Sequence, residues 1–364
     1  MARSRHPTAP ATLNRSARRR TKLTAKTSMK LATYKDGSRE GQLVVVSRDL
    51  TTAHYATGIG NRLQQALDDW NFIAPQLQDV YEMLNSGKAR HPFPFDPAQC
   101  MAPLPRAYQW VEGAAYPSQA ESARAANPEA GPENRPTEPR MRQGGSDDFL
   151  GPCDDILVAD EAFDIDFGAG LAVVTGDVPQ AATPEQGLDA VRLLMLVNAV
   201  RLRALIGDQA GPRGDPLQGQ PCAAFSPVAV TPDELGQAWQ EGRVHLTLQT
   251  AWNGRKVGLC DAGAEMHFHF GQLIAHVART RRLRAGAIVG SGVVGNAGSE
   301  RDGRREWPKG YGCIADKRAM ETLQDGAPQT AYMRFGDTLR IEMKGRDGEP
   351  VFGAIEQSVR RFGE

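Results

Sequence analysis

Between Asp164 and Val174 the chain alternates with a period of two. Ile165, Phe167, Ala169, Leu171 and Val173 hold one set of positions, and Asp164, Asp166, Gly168, Gly170, Ala172 and Val174 hold the other. Side chains point to opposite faces along a strand, so the run predicts a strand with one face apolar throughout and the other bare at Gly168 and Gly170. Glycines at i and i+2 weaken a strand, because they pack nothing and lose much backbone freedom on folding.

Other stretches carry equally local signals. Residues 42–46 (QLVVV) predict a short strand. Leu63, Leu67, Trp70, Ile73, Leu77, Val80 and Leu84 recur at helical spacing and predict a helix over 61–84, with Pro75 as its candidate break. The apolar run 188–206 is expected to be helical. Thr231-Pro232-Asp233-Glu234 predicts a helix start, with Thr231 as N-cap, Pro232 at the first position and Glu234 closing a capping box. Residues 243–248 alternate as a strand, and Asn253-Gly254 predicts a hairpin turn after it. Residues 339–343 and 350–355 read as late strands joined at Arg346-Asp347-Gly348. Many short strands with few helices predict a rolled or sandwiched β core.

Composition changes the picture at two places. Residues 1–28 carry Arg3, Arg5, Arg15, Arg18, Arg19, Arg20, Lys22 and Lys26 and no acid. A disordered basic extension is expected there. An organelle-targeting peptide and a polyanion-binding tail are less favoured than a translated segment upstream of a start at Met29. Residues 117–140 hold Pro117, Pro128, Pro132, Pro136 and Pro139 and are expected to form a flexible loop. Over the whole chain charges balance, 43 basic against 43 acidic, which argues against nucleic-acid or membrane-surface partners for the folded body. No apolar run approaches the ~20 residues that span a bilayer. The five cysteines are scattered without a CxxC pair, which fits free thiols and a cytoplasmic setting. Residues 290–298 (GSGVVGNAG) are glycine-rich but lack the strand–turn–helix and downstream acid of a dinucleotide site.

Several stretches, among them MKLATYKDGSREGQLVVV, FPFDPAQCMAPLPRAYQWV, QGGSDDFLGPCDD, DFGAGLAVVTGDVP, AFSPVAVTPDELG and AIVGSGVVGN, closely resemble the bacterial branch of the fumarylacetoacetate hydrolase family. The resemblance implies an α+β fold: a small N-terminal domain over 29–104, then the family's mixed β-roll over 105–361, paired as a homodimer. It also implies cleavage of a carbon–carbon bond in acylpyruvates or diketo acids, as in the catabolism of aromatic compounds. A Mg²⁺ or Ca²⁺ ion would grip the diketo oxygens and a histidine would activate water.

Position by position, the family pattern is substituted here. The metal-ligand positions fall on Glu112, Gly168, Gly170 and Ala199, so one carboxylate remains. The base position is Gln119, which takes no proton at neutral pH, and the lysine position is Gln220. The threonine and serine positions are Val293 and Gly295. Either ion needs about six oxygens with strong anionic help, so a lost site and no resident metal are expected.

Arg142, Arg201 and Arg203 are candidates for holding a substrate carboxylate in the ion's stead. His267 and His269 alternate and, with His276 nearby, are candidates for acid–base or zinc chemistry if they share a strand face, though no third ligand supports a metal and polar residues near a helix start are the favoured reading. Three functions are consistent with these residues. The leading one is a degenerate family member that binds a small carboxylic or keto acid or a partner, or does nothing measurable. The others are metal-free chemistry on a related keto acid and a residual hydrolase.

Overall fold

A computed structural model of the chain describes residues 27–118, 137–206, 217–302 and 304–363. The expected basic extension, apart from Thr27 and Ser28, and most of the expected proline-rich loop lie outside these residues. The fold is built on an eleven-stranded sheet. Its N-terminal part is a meander of Lys30–Tyr34, Gln42–Val46, Thr52–Tyr55 and the short Phe93–Pro94. Lys30 and Leu31 then pair with Val230 and Ala229, so the sheet runs without a gap into the C-terminal part. From Ala229–Val230 it continues through Val191–Asn198, Ala169–Thr175, Ile288–Val293 and Trp110–Gly113 to Met141–Gly144 at the edge.

Both faces of this sheet are covered. Leu171, Val173, Leu194 and Leu196 pack with Leu248, Ile341, Met343, Phe352 and Ile355 of a five-stranded sheet that contains Thr247–Trp252, Arg255–Asp261, Thr338–Lys344 and Pro350–Arg361. Val174, Leu193, Met195 and Val197 pack on the other side with Leu63, Leu67, Ile73 and Leu77 of two helices. The α+β class and the roll expected from the sequence are therefore present.

This double coverage explains one correction. Residues 188–206 are not one helix: a six-residue helix, Pro184–Asp189, precedes the strand Val191–Asn198, and a short strand Arg201–Leu202 and a one-turn helix Arg203–Ile206 follow. A strand buried on both faces reads as an unbroken apolar run, which periodicity alone cannot tell from a buried helix. The 61–84 helix is also two helices, Leu63–Asp68 and Trp70–Asn85, parted at Asp69 and not at Pro75. Pro75 is the sixth residue of the second helix, held there while Ile73, Ala74 and Leu77 are buried on both sides of it.

Thr231 does precede a one-turn helix, Pro232–Leu235, but caps nothing with its side chain. Its hydroxyl instead accepts from the Met29 amide at 3.0 Å. Glu234 closes no box, and accepts from the Tyr81 hydroxyl at 2.8 Å and from Arg48 Nε at 3.1 Å. The 243–248 run splits: Arg243–Val244 pairs with Trp239–Gln240, and Thr247–Trp252 begins a separate strand. Asn253 and Gly254 both take positive φ, 49° and 74°, the type I′ geometry that joins Trp252 to Arg255. No disulfide joins the five cysteines. Among the described residues no helix is long and apolar enough to cross a membrane.

Candidate functional site

Glu112, Gly168, Gly170, Ala199 and Val293 meet at one end of the large sheet, on its helical face. The predicted 164–174 strand is interrupted: Ile165–Asp166 pairs with Arg201–Leu202, and Ala169–Thr175 resumes after Phe167 and Gly168. Asp164 lies before it in a left-handed conformation, outside the strand. Gly170 is paired on one side with Val197 and on the other with Val293. Between Gly290 and Val293 the register slips, and Gly292 takes a φ of 79° in the resulting bulge.

The strands have closed over the space that side chains would need. A Cβ on Gly168 would sit 2.5 Å from the Ala199 carbonyl oxygen, and one on Gly170 would sit 2.6 Å from that of Gly292. Both obstructions are backbone atoms and cannot swing aside. The closure is pinned by hydrogen bonds. The Ala199 amide donates to the Gly168 carbonyl at 2.8 Å, and the Gly168 amide donates to Asn198 Oδ1 at 3.0 Å. The Asn198 side chain in turn donates to Gln357 Oε1 at 2.9 Å. Asn198 and Gln357 carry no isolated sequence signal, since their partners come from 30 and 159 positions away.

Glu112, the surviving carboxylate, is buried and pairs with the equally buried Arg201. Arg201 also donates to the Val200 carbonyl at 3.0 Å. Burial, with Arg203 alongside, draws its guanidinium down to about 10, which leaves it cationic at neutral pH. Beneath the pair, Trp110, Phe149 and Phe225 meet edge to face. Glu112 lies directly opposite Arg142 on the edge strand Met141–Gly144. Residues paired in this way share a face.

Arg203 has a second carboxylate. Its Nε donates to Asp166 at 2.9 Å. Burial opposes the charge on Arg203, but Asp166 outweighs it and holds the guanidinium above its ordinary value. Asp166 is wholly buried and also accepts from the Ile314 and Ala315 amides at 2.6 and 3.2 Å, the first two residues of the helix Ile314–Asp325. Its work is to seat that helix, whose N-terminus favours an anion.

Arg142 differs from both. It is exposed, and among the described residues no carboxylate pairs with it. Partial burial, then Arg203 and Arg140, draw its guanidinium below the ordinary arginine value.

The other sequence candidates are less central. His267 and His269 do not lie on a strand. They lead into the helix Phe270–Ala278, with His269 as N-cap. Backbone conformation there follows the helix start, so the alternating spacing brings them to no shared strand face. The His267 amide donates to Ala115 at 2.8 Å, and the His269 ring packs beside Gly242 and Gly271. Burial, then Arg243, lowers the His269 imidazole below its usual value. Gln220 is half-buried on the turn after Leu217, its amide donating to that residue's carbonyl at 3.4 Å. Val293 is half-buried against the space above Gly168. Gln119 lies outside the described residues.

A divalent ion does not fit these residues. Of the four positions that the sequence resemblance assigns to the ion, two are glycines without room for a side chain, one is alanine, and the fourth is a carboxylate already neutralised by Arg201. Among the described residues no three His, Cys, Asp or Glu side chains converge as a cation would require.

Comparison with known proteins places the chain. Residues 29–106 match the model described as fumarylacetoacetase N-terminal domain 2, and residues 109–360 match that of the fumarylacetoacetate hydrolase C-terminal domain. A 2,4-didehydro-3-deoxy-L-rhamnonate hydrolase from Sphingomonas sp. (strain SKA58) is 26% identical over 209 residues, 57% of this chain. The chain spans 61% of the length of that curated relative. A probable 2-hydroxyhepta-2,4-diene-1,7-dioate isomerase from Mycobacterium abscessus superposes with a TM-score of 0.63 at 17% identity, over 93% of this chain and 100% of its own. The fumarylacetoacetate hydrolase of Exiguobacterium antarcticum gives 0.59 at 16%, over 92% and 100%. The maleylpyruvate hydrolase of Sphingobium sp. SYK-6 gives 0.57 at 14%, over 92% and 100%. At these identities the structures establish a shared fold.

Proposed function

This chain belongs to the fumarylacetoacetate hydrolase family, and from that premise we propose that it is a member without metal-dependent hydrolysis of acylpyruvates or diketo acids. On this reading it keeps the family scaffold and binds a small carboxylic or keto acid at the site of the lost ion. The observation that carries the reading is the closure at Gly168 and Gly170, where any side chain would collide with a backbone carbonyl. A site cannot regain two anionic ligands there without moving strands on either side.

The electrostatics support the same reading. Glu112 and Asp166 are each already paired with an arginine, Arg201 and Arg203, and Arg142 adds a cation beside them that no carboxylate neutralises among the described residues. Such a site repels a divalent cation and attracts an anion. Loss of a general base alone costs on the order of 10²–10⁴ in rate, and loss of an oxyanion-stabilising group on the order of 10²–10³.

The test is a hydrolysis assay of the full chain with fumarylpyruvate and added Mg²⁺ or Ca²⁺. The expected result is no turnover above the uncatalysed rate. Metal-dependent turnover on the order of one per second, within the ordinary range for enzymes, contradicts the reading.

A further inference from the structure

We propose that the outer face of the helix Trp70–Asn85 is the docking surface for the basic segment 1–26 of the same chain, with Asp79 and Glu82 receiving its cations. The inference is independent of the metal-free reading above.

This helix buries one side and leaves the other without a partner. Ile73, Leu77, Val80 and Leu84 are buried. Phe72, Gln76, Asp79 and Met83 recur at helical spacing on the opposite side, with Glu82 beside them. Phe72 is 68% exposed and Met83 is 43% exposed. The face is also of one sign. From 63 to 87 the chain holds Asp68, Asp69, Asp79 and Glu82 and no lysine or arginine. None of the four has an ion-pair partner among the described residues.

The point at which segment 1–26 joins the fold selects it as the occupant. The Thr27 amide donates to Asp233 Oδ2 at 2.8 Å, and the Ser28 hydroxyl donates to Glu234. Glu234 also accepts from Tyr81, a residue of this helix, at 2.8 Å. The segment is therefore tethered beside the helix, which raises its effective concentration there. It carries eight arginines and lysines and no acid, and Leu13 and Leu23 are available to Phe72 and Met83. Length sets no limit. The 16-residue helix is about 24 Å long. A chain of 26 residues spans up to about 85 Å. Arg48 lies over the Tyr81 ring, but it gives its Nε to Glu234 and leaves Asp79 and Glu82 to other cations.

Carbodiimide coupling of the full chain at low ionic strength, read by peptide mass spectrometry, tests this. Lys22 is the reporter, because Lys26 adjoins Thr27 and so lies near Asp233 whatever the rest of the segment does. Amide cross-links from Lys22 are expected to favour Asp79 and Glu82 over other carboxylates. They are expected to fall at least fivefold in about 0.5 M NaCl, where screening is strong. Trypsin should cut after Arg18, Arg19 and Arg20 at least threefold faster in the double variant Asp79→Lys with Glu82→Lys than in wild type. Circular dichroism establishes that this variant is folded. Lys22 cross-links spread over the surface carboxylates without preference overturn the proposal. So does equal cleavage in wild type and variant. In a mixture of isotope-labelled and unlabelled protein, cross-links that join the two labels give the face to a second copy and likewise overturn it.

Discussion

Arg201 donates to Glu112 from a point 89 residues further along the chain, and both side chains are buried where they meet. Arg201 lies two residues past Ala199 and Glu112 on the strand Trp110–Gly113, so the contact joins two separate segments of the sheet's end. The arginine supplies the countercharge that a buried carboxylate needs.

That pairing sets the first expectation. Glu112→Gln or Arg201→Met alone leaves an unpaired buried charge and should destabilise the fold by about 3–5 kcal/mol. The double change Glu112→Leu with Arg201→Met should recover most of the loss, since a well-packed apolar pair removes both charges together. Urea denaturation of the three variants measures it. Additive losses in the double variant would mean that the two groups do not act as a pair.

The closed glycines give the second. Neither Gly168 nor Gly170 has a positive φ, so the cost of a side chain there is steric and not conformational. Gly170→Ala should cost about 1–3 kcal/mol by forcing the Ala169–Thr175 strand away from Gly292, and Gly168→Ala a similar amount at Ala199. Equilibrium unfolding that shows either change neutral would mean that the site is open.

Asn198 gives the third. Its side chain accepts from the Gly168 amide and donates to Gln357, all in the interior. Asn198→Ala strands both partners and should destabilise by about 2–3 kcal/mol. Amide hydrogen exchange should locate the loosening at Gly168 and Ala199.

Much of this architecture was legible in the sequence, and the failures have physical causes. The Asn253-Gly254 hairpin was readable because positive φ at both turn positions selects those residue types locally. The 191–198 strand was not, because burial on both faces erased its alternation. Thr231 and Glu234 look like a capping box in isolation, yet the returning Met29 segment, Tyr81 and Arg48 claim them. At the site, the glycines and Arg201 stood out from the family pattern, whereas the Arg201–Glu112 bond and the carbonyls facing Gly168 and Gly170 depend on strand register. His267 and His269 stand at a helix start, the reading preferred to a shared strand face, since an i, i+2 spacing alone carries no metal or acid–base signature.

Acid should expose a separate clamp. Burial opposes charge on Glu321, but hydrogen bonds from the Thr330 hydroxyl and from the Thr330 and Gln329 amides, together with Lys317, outweigh it and hold the carboxyl at about 2. The folded value lies below the unfolded one of about 4.3, so the carboxylate stabilises the fold above that value and its contribution fades as pH falls toward 2. Glu321→Gln should therefore cost on the order of 3 kcal/mol at pH 7. The gap from wild type should narrow progressively below about pH 4.5 in urea titrations. A gap that does not change with pH would place the effect in packing.

The central claim is that the family's cation site is gone from this chain, and calorimetric titration of the metal-stripped protein with MgCl₂ and CaCl₂ tests it most directly. The account predicts no saturable heat from either ion at millimolar concentration, in wild type and in Glu112→Gln alike. One ion bound per chain with micromolar affinity, and lost in Glu112→Gln, would contradict it.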